Sequence, residues 1–373
     1  MGAKKSKCSE DSSGEVNFDH FQVLRAIGGG SFGKVCIVKK KDTKEMYAMK
    51  YMSKTNIIAK KAGNDVLREL KILTTLDHPF LVRLWFSFQD EEDLFLVMDL
   101  LLGGDLRFHL GQQKRFSLES VRLYMAEMVL ALHYLKDRNI MHRDVKPSNM
   151  LLDDGGHCHL TDFSVAFVVQ SKRLPKSIAG TRPYMAPEMV GQDEHSKGYC
   201  YAVDWWSLGV CLFELLRGKR PFCLLSTMDD TEMAATITTS PIKFPTEFDL
   251  DAKDLVLKLL ESDPTLRREH VKDIHSHSFF KSLDWNQVEQ LKVQPSFVPC
   301  RNEVHCDPYL EFEELLVESK PLHKKKQRLK KMPSRSSSVT KLEPAPNPDC
   351  RVFRRSASHQ PKVMYLFMLI HGC

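Results

Sequence analysis

An α+β chain is what the sequence predicts, with strands concentrated in its first hundred residues and helices after them. Two observations carry this. Between Phe21 and Leu101, short β-branched and aromatic runs alternate with glycine or polar turns. Beyond that, apolar residues recur at helical spacing, as in Val121–Leu135, and the change of period marks the change of element.

Phe21–Ile27 reads as a strand that runs into Gly28-Gly29-Gly30-Ser31-Phe32-Gly33-Lys34-Val35. Glycines let a backbone approach phosphate closely and adopt positive φ. In a dinucleotide-binding fold such glycines open a helix. Here Val35–Val38 is β-branched and strand-like, which favours a strand–loop–strand hairpin laid over phosphates. Tyr47-Ala48-Met49-Lys50 is an apolar strand ending in a lysine. A lysine leaving a buried strand needs an anionic partner, which a phosphate or a carboxylate supplies. The carboxylate candidate is Glu69, on the helical stretch Val66–Leu73. Trp85–Leu101 reads as two strands around the turn Gln89–Asp93, followed by a hinge-like Gly103-Gly104 and a helix opened by Asp105. That carboxylate suits the positive end of the helix, and a ribose hydroxyl equally well.

The functional centre is His142–Asn149, HRDVKPSN, with Asp162-Phe163-Ser164 following. Two carboxylates, a carboxamide, a lysine and an arginine in one loop region form the inventory for phosphoryl transfer: a base for a hydroxyl, oxygen donors for Mg²⁺, and cations that spread negative charge. These motifs, with GGGSFGKV, AMK, Ala186-Pro187-Glu188 and DWWSLG in order, resemble the eukaryotic protein kinases, and most nearly the AGC-like serine/threonine kinases of the YANK subgroup. The resemblance implies a bilobal protein kinase fold over residues 21–280, with a small β-rich lobe at 21–98 carrying one main helix and a larger helical lobe at 105–280. Residues 1–20 would be a leader, 281–319 an AGC-like tail, and 320–373 a basic, largely disordered tail.

By that resemblance Asp144 is the catalytic base, Lys146 contacts the γ-phosphate, and Asn149 and Asp162 hold Mg²⁺, with Mn²⁺ as an alternative metal. ATP would be met by Ile27, Gly28, Gly29, Gly30, Ser31, Phe32, Gly33, Lys34 and Val35, by Ala48 and Lys50 (the latter paired to Glu69), and by Asp99, Leu101, Asp105 and Leu151. Val35, Ala48 and Leu151 would sandwich adenine, while Leu73, Leu84, His142 and Phe163 would pack as one column. Glu188 is expected to pair with Arg267, and Asp204 to bond the backbone of the catalytic loop. Lys146 with Thr181 matches the serine/threonine branch, and Val165 matches a preference for threonine. Ser164 departs from the family's glycine; its Cβ should alter the mobility of the turn without removing Asp162.

Ser177 resembles the phosphorylated position of related kinases, and Arg143 is the partner expected for that phosphate. Ser148 replaces the acidic residue that reads substrate arginine, and Lys172, Arg173, Lys176 and Arg182 make this segment basic, so acidic sequence around the acceptor is expected. The alternative function is a nucleotide-binding pseudokinase scaffold, to which Ser164 and the tails point.

The net charge of +6 is unevenly spread: from Lys320 onward there are 13 Lys+Arg against 2 Asp+Glu. The basicity therefore belongs to the tail, and no nucleic-acid partner is expected for the core. Ten cysteines stand singly, with no CxxC pair, which suits free thiols in a reducing cytoplasm. Met1-Gly2-Ala3-Lys4-Lys5-Ser6 fits the myristoylation pattern at Gly2, and with His323–Lys331 suggests a membrane surface as a partner besides ATP and protein substrates. The same basic run would serve as a nuclear address. The chain is expected to be a monomer.

Overall fold

The structure is a computed structural model, and it describes residues 16–29, 33–169, 174–191, 198–300 and His305. Gly2, Gly30, Ser31, Phe32, Lys172, Arg173 and the basic run at 323–331 lie outside the described residues. Two compact units emerge among the described residues: 16–60 with Trp85–Met98, and Lys61–Leu84 with 99–305.

The first unit is built on a five-stranded antiparallel sheet. Its strands are β1 (Phe21–Gly29), β2 (Gly33–Lys40), β3 (Met46–Ser53), β4 (Leu84–Gln89) and β5 (Asp93–Met98), in the order β1-β2-β3-β5-β4. The short helix α1 (Lys54–Ala59) follows β3. Aromatic residues at alternate positions build the core on one face, as the two-residue strand period requires. Phe21 stacks on Phe88 at 5.8 Å, Phe88 on Phe95 at 5.0 Å, and Tyr47 meets Phe86 edge-on. Phe95, Leu96 and Val97 are buried in succession, because β5 lies between β3 and β4 in the sheet. The continuous apolar run of β5 is the trace of that central position.

Helix α2 (Gly63–Thr75) follows α1 in the chain and is the one main helix expected among the strands. The tyrosine hydroxyl of Tyr134 accepts the Asp77 amide at 2.8 Å just after α2. Helices α3 (Leu106–Gln113) and α4 (Leu118–Asp137) come next, then the two-residue strand β6 (Ile140–Met141). The hairpin β7 (Met150–Leu152) and β8 (Cys158–Leu160) follows, and β9 (Phe167–Val168) pairs back on β6. The remaining helices are α5 (Pro187–Val190), α6 (Ala202–Arg217), α7 (Asp230–Thr239), α8 (Leu250–Leu259), α9 (Pro264–His270) and α10 (Trp285–Glu289).

Helix α6 is the centre of the second unit. Fourteen of its sixteen residues are buried, and it packs against α4, α8 and α9; a helix that is apolar all round has no face to give to water. It ends at Gly218, whose φ of +78° forms a left-handed cap. A buried polar knot ties α4 to β8: Glu127 accepts from His157 Nδ1 at 2.7 Å and from the Cys158 amide at 2.8 Å. Among the described residues no helix is long and apolar enough to cross a membrane.

The expected pair of Glu188 and Arg267 is present. Arg267 Nη2 donates to Glu188, Nε to the Ala202 carbonyl at 3.0 Å, and Nη1 to the Glu261 carbonyl at 2.5 Å. Burial pushes the Glu188 carboxyl up and Arg267 down, each toward neutrality, and the two charges hold because each compensates the other. Replacing Arg267 with Ala would strand that carboxylate and two carbonyl acceptors, and should lower the unfolding free energy by about 3–5 kcal/mol. Urea denaturation of the two proteins measures this; a change within about 0.5 kcal/mol, as for an ordinary surface site, would deny the pair a structural role.

Candidate active site

In the first unit, β1 delivers Ile27, Gly28 and Gly29, and β2 begins with Gly33, Lys34 and Val35. Gly28 pairs with Val35 and Gly29 with Lys34, so the strands on either side of the glycine stretch pair antiparallel, as the sequence predicts. The register shifts between Ala26 and Gly28, so Ile27 sits at a bulge. A side chain at Gly33 would put its Cβ 2.1 Å from the Tyr51 carbonyl oxygen; only glycine allows β2 and β3 to approach so closely. Val35 is directly opposite Lys50 on β3. Val35 and Lys50 therefore share a sheet face with Ala48, two residues before Lys50. Ala48 is buried and Lys50 half-buried.

The second unit carries the other residues. Glu69 is buried on α2. Asp99 exchanges backbone and side-chain bonds with Arg83: its carboxylate accepts the Arg83 amide at 2.8 Å, and its own amide donates to the Arg83 carbonyl. Leu101 and Leu151 are half-buried. Asp105 caps α3 by accepting the Phe108 amide at 2.8 Å, and burial pushes its carboxyl up. The glycine pair before it is strapped to β7, with Gly103 N donating to the Leu152 carbonyl and Leu152 N to that of Gly104.

The catalytic loop is fixed from below by Asp204. This buried carboxylate accepts the amides of His142 at 2.9 Å and Arg143 at 2.7 Å, as expected. His142 in turn offers Nε2 to the Thr161 carbonyl at 2.9 Å and takes the Asp144 amide on Nδ1. Its ring meets Phe163 at 4.9 Å, and Leu73, Leu84, His142 and Phe163 are all buried, as the column requires.

Asp144 Oδ2 is held on two sides, by Lys146 Nζ at 2.7 Å and Asn149 Nδ2 at 3.1 Å. Its Oδ1 is buried without a hydrogen-bond partner. An unpaired buried acceptor is costly, and this one sits on the carboxylate of the catalytic loop. Gly180, at φ +107°, borders it: a Cβ there would lie 3.5 Å from Oδ1 and 2.1 Å from the Arg143 carbonyl oxygen. Lys146 also donates to Thr181 Oγ1 at 2.8 Å, tying the base to the segment that follows Gly180.

Asn149 and Asp162 are 13 positions apart in sequence but flank one hairpin. Met150 pairs with Leu160, and the Thr161 amide donates to the Asn149 carbonyl at 2.9 Å. A carboxylate and a carboxamide are hard oxygen donors, the set Mg²⁺ takes when substrate phosphates supply further ligands. Among the described residues no group of three or more His, Cys, Asp or Glu could hold a metal, so an ion here would complete its shell with nucleotide and water. The residues fit that group. In the Asp162-Phe163-Ser164 turn the left-handed residue is Asp162, at φ +63°, and Ser164 is not among the positive-φ residues. Serine is therefore unstrained where the family has glycine.

Arg143 has φ +67° and already has several partners. It donates to the Val165 carbonyl at 2.7 Å, to Tyr199 OH at 3.0 Å and to Ser177 Oγ at 3.4 Å. Ser177 is exposed, as a modifiable residue must be. Of the four cations expected to face substrate, Arg182 is paired with Asp230 and the Met228 carbonyl, and Lys176 is exposed.

Sequence reading missed two features. Tyr199, which braces Arg143 and donates to the Ser177 carbonyl, carries no motif of its own. Arg107, Tyr184 and Glu214 meet in a triangle although 77 and 30 residues separate the successive partners. The signal for the second was a further carboxylate within a largely apolar helix, Glu214 in α6 beside the anchoring Asp204.

Comparison with known proteins agrees with this geometry. A protein kinase domain model matches residues 21–280. Serine/threonine-protein kinase 32B of Homo sapiens is 50% identical over 326 residues, covering 87% of this chain and 79% of that protein. Serine/threonine-protein kinase 32C of Homo sapiens is 49% identical over 329 residues, 88% of this chain and 68% of that one. A more distant relative, AtPK2/AtPK19 of Arabidopsis thaliana, is 40% identical over 304 residues, 80% and 63% of the two chains. With a catalytic loop built as the motifs require and a family match over most of its length, the chain belongs to the protein kinase family.

Proposed function

We propose that this protein transfers the γ-phosphoryl group of ATP to serine and threonine hydroxyls of protein substrates, with Asp144 as the base. The buried, unpartnered Oδ1 of Asp144 carries the reading. With Oδ2 held by Lys146 and Asn149, the carboxylate cannot rotate away, and Oδ1 orients the incoming hydroxyl and takes its proton. Lys146, held near Asp144 and Thr181, spreads charge on the transferring group, and Lys50 does the same for the other phosphates. Asn149 and Asp162 would hold Mg²⁺, which when bound neutralises charge developing on the phosphates. Positioning and electrostatics supply most of the acceleration in such reactions. The serine/threonine relatives and the Lys146–Thr181 bond support the choice of acceptor.

The pseudokinase alternative is disfavoured because Lys50, Asp144, Asn149 and Asp162 are all present. Transfer of radiolabelled phosphate from ATP to a protein substrate should occur with wild type and fall by about 10²-fold or more in Lys50→Ala and Asp144→Asn. Equal labelling by wild type and both variants would mean a contaminating kinase.

Regulation is proposed at Ser177, whose exposed hydroxyl is already within 3.4 Å of Arg143. A phosphate there would strengthen a bond that the neutral hydroxyl makes weakly. Activity of Ser177→Ala should drop several-fold, with the phosphate seen on wild type by intact-protein mass spectrometry; full activity in the variant would remove the switch.

Membrane association is proposed through an acylated Gly2 and the basic run 323–331, supported by the sequence pattern alone. One acyl chain binds weakly, so the lysines would supply the second attachment. Mass analysis of cell-expressed protein should show a myristoyl adduct on wild type and none on Gly2→Ala; an unmodified Gly2 ends the idea.

A further inference from the structure

The carboxylate of Glu214 is almost completely buried near the end of α6, with 4% of its side chain exposed. Its Oε2 accepts from Tyr184 OH at 2.6 Å and from Arg107 Nη2 at 2.8 Å, and Arg107 donates to the tyrosine oxygen as well. Oε1 faces Arg220 Nε at 3.9 Å. Desolvation is the largest influence and works against the Arg107 charge, but the bond to Glu214 and the neighbouring Glu214, Tyr184 and Cys211 charges together hold this guanidinium above its ordinary range.

The two arginines are quite unlike the glutamate in exposure. Arg107 keeps 43% of its side chain in solvent and Arg220 41%. Arg107 makes both of its bonds through Nη2. A guanidinium has five donors in a planar fork, so its Nη1 and Nε edge is available to another acceptor. Arg217 and Lys219, exposed in the same turn as Arg220, add positive charge at the end of α6. The nearby carboxylate on Arg107's own helix, Asp105, is occupied as the α3 cap. Arg182, one turn along, is already neutralised by Asp230.

This cluster is joined to the catalytic base by a short chain of bonds. Tyr184 N donates to the Thr181 carbonyl at 2.9 Å, Thr181 Oγ1 accepts Lys146 Nζ, and Lys146 pairs with Asp144 Oδ2. A peptide whose hydroxyl reaches Asp144 Oδ1 along Gly180–Tyr184 would thus have flanking residues near the arginines. A substrate cation would have to expel Arg107 to reach Glu214.

Resting on the kinase reading above, we propose that Arg107 and Arg220, anchored by Glu214 and Tyr184, form a subsite for an anionic side chain flanking the acceptor hydroxyl. The buried glutamate aims Arg107, and the exposed donors of both arginines read the substrate. The shared ligand chemistry is an anionic oxygen fork, either a carboxylate or a phosphate placed by an earlier phosphorylation. Arginine's planar donors suit both.

The test uses the full-length chain and peptides carrying Glu, phosphoserine, Ala or Arg at each position flanking a fixed serine. Lys50-dependent phosphorylation of the Ala peptide is established first, so failure of the kinase reading is seen separately. At one flanking position, kcat/KM for Glu or phosphoserine should exceed that for Arg by about tenfold or more, as for a charge-assisted hydrogen bond. The difference should lie mainly in KM. Arg107→Ala should erase or invert that ratio by opening Glu214, Arg107→Lys should retain part of it, and Arg107→Ala/Glu214→Gln should flatten it. If Arg107→Ala alone does not fold, Arg220→Ala decides, because removing a guanidinium 3.9 Å away leaves Glu214 paired. A wild type that favours Arg at every position, or variants that leave the ratio unchanged, would overturn the subsite. Phosphoserine peptides favoured without Glu peptides would assign it to previously phosphorylated substrates.

Discussion

The contact between Asp204 and the backbone of His142 and Arg143 is the constraint on which the catalytic loop depends. Burial pushes this carboxyl up, while two amide donors and the neighbouring His142 and Arg143 charges favour its ionised form. The two amides belong to the residues just before Asp144, and Arg143 takes a left-handed conformation that non-glycine residues rarely adopt. That strain persists only because the surroundings over-determine it. Helix α6 supplies the anchor, and its nearly complete burial leaves it no freedom to shift.

From that anchor the bonds spread outward in two directions. Through His142 they reach the Thr161 carbonyl, and through Asn149 they reach the same residue's amide, so both ends of the β7–β8 hairpin base are tied to the loop. Through Arg143 they reach Val165, Ser177 and Tyr199, which joins the segment after Asp162 to the start of α6. A buried network of this kind is stabilising only when its members are satisfied. The exception, Asp144 Oδ1, therefore stands out, and the proposed phosphoryl transfer gives it a partner in the substrate hydroxyl.

How much of this was legible in the sequence follows from the physics of each feature. The hairpin of the glycine stretch, the strand bearing Lys50 and the helix bearing Glu69 were readable because local periodicity and glycine placement determine them. Asp204 and the Glu188–Arg267 pair were readable only through family resemblance, since each joins residues 61 or more positions apart. The glycine pair at 103–104 looked like a hinge, yet it is strapped to β7, because backbone bonds to a distant strand leave no trace in composition. Tyr199 and Arg107 were invisible for one reason: their roles consist of where the fold brings them, and neither residue type announces a partner.

Ser148 and Arg107 bear on the same question from opposite sides. A serine before Asn149 withholds a negative charge from the surface beside the base, and Arg107 covers another that the fold does contain, at Glu214. Removing an acidic residue alone leaves a neutral surface, which tolerates many substrates. Covering a buried carboxylate with half-exposed arginines goes further, because a fixed cation with spare donors rejects like charge and rewards its opposite. Burying Glu214 carries a desolvation cost, and an uncharged residue in α6 would avoid it. Its retention makes sense if the glutamate's task is to hold Arg107 in a fixed direction, since a lone arginine on the surface would sample many rotamers and recognise nothing in particular.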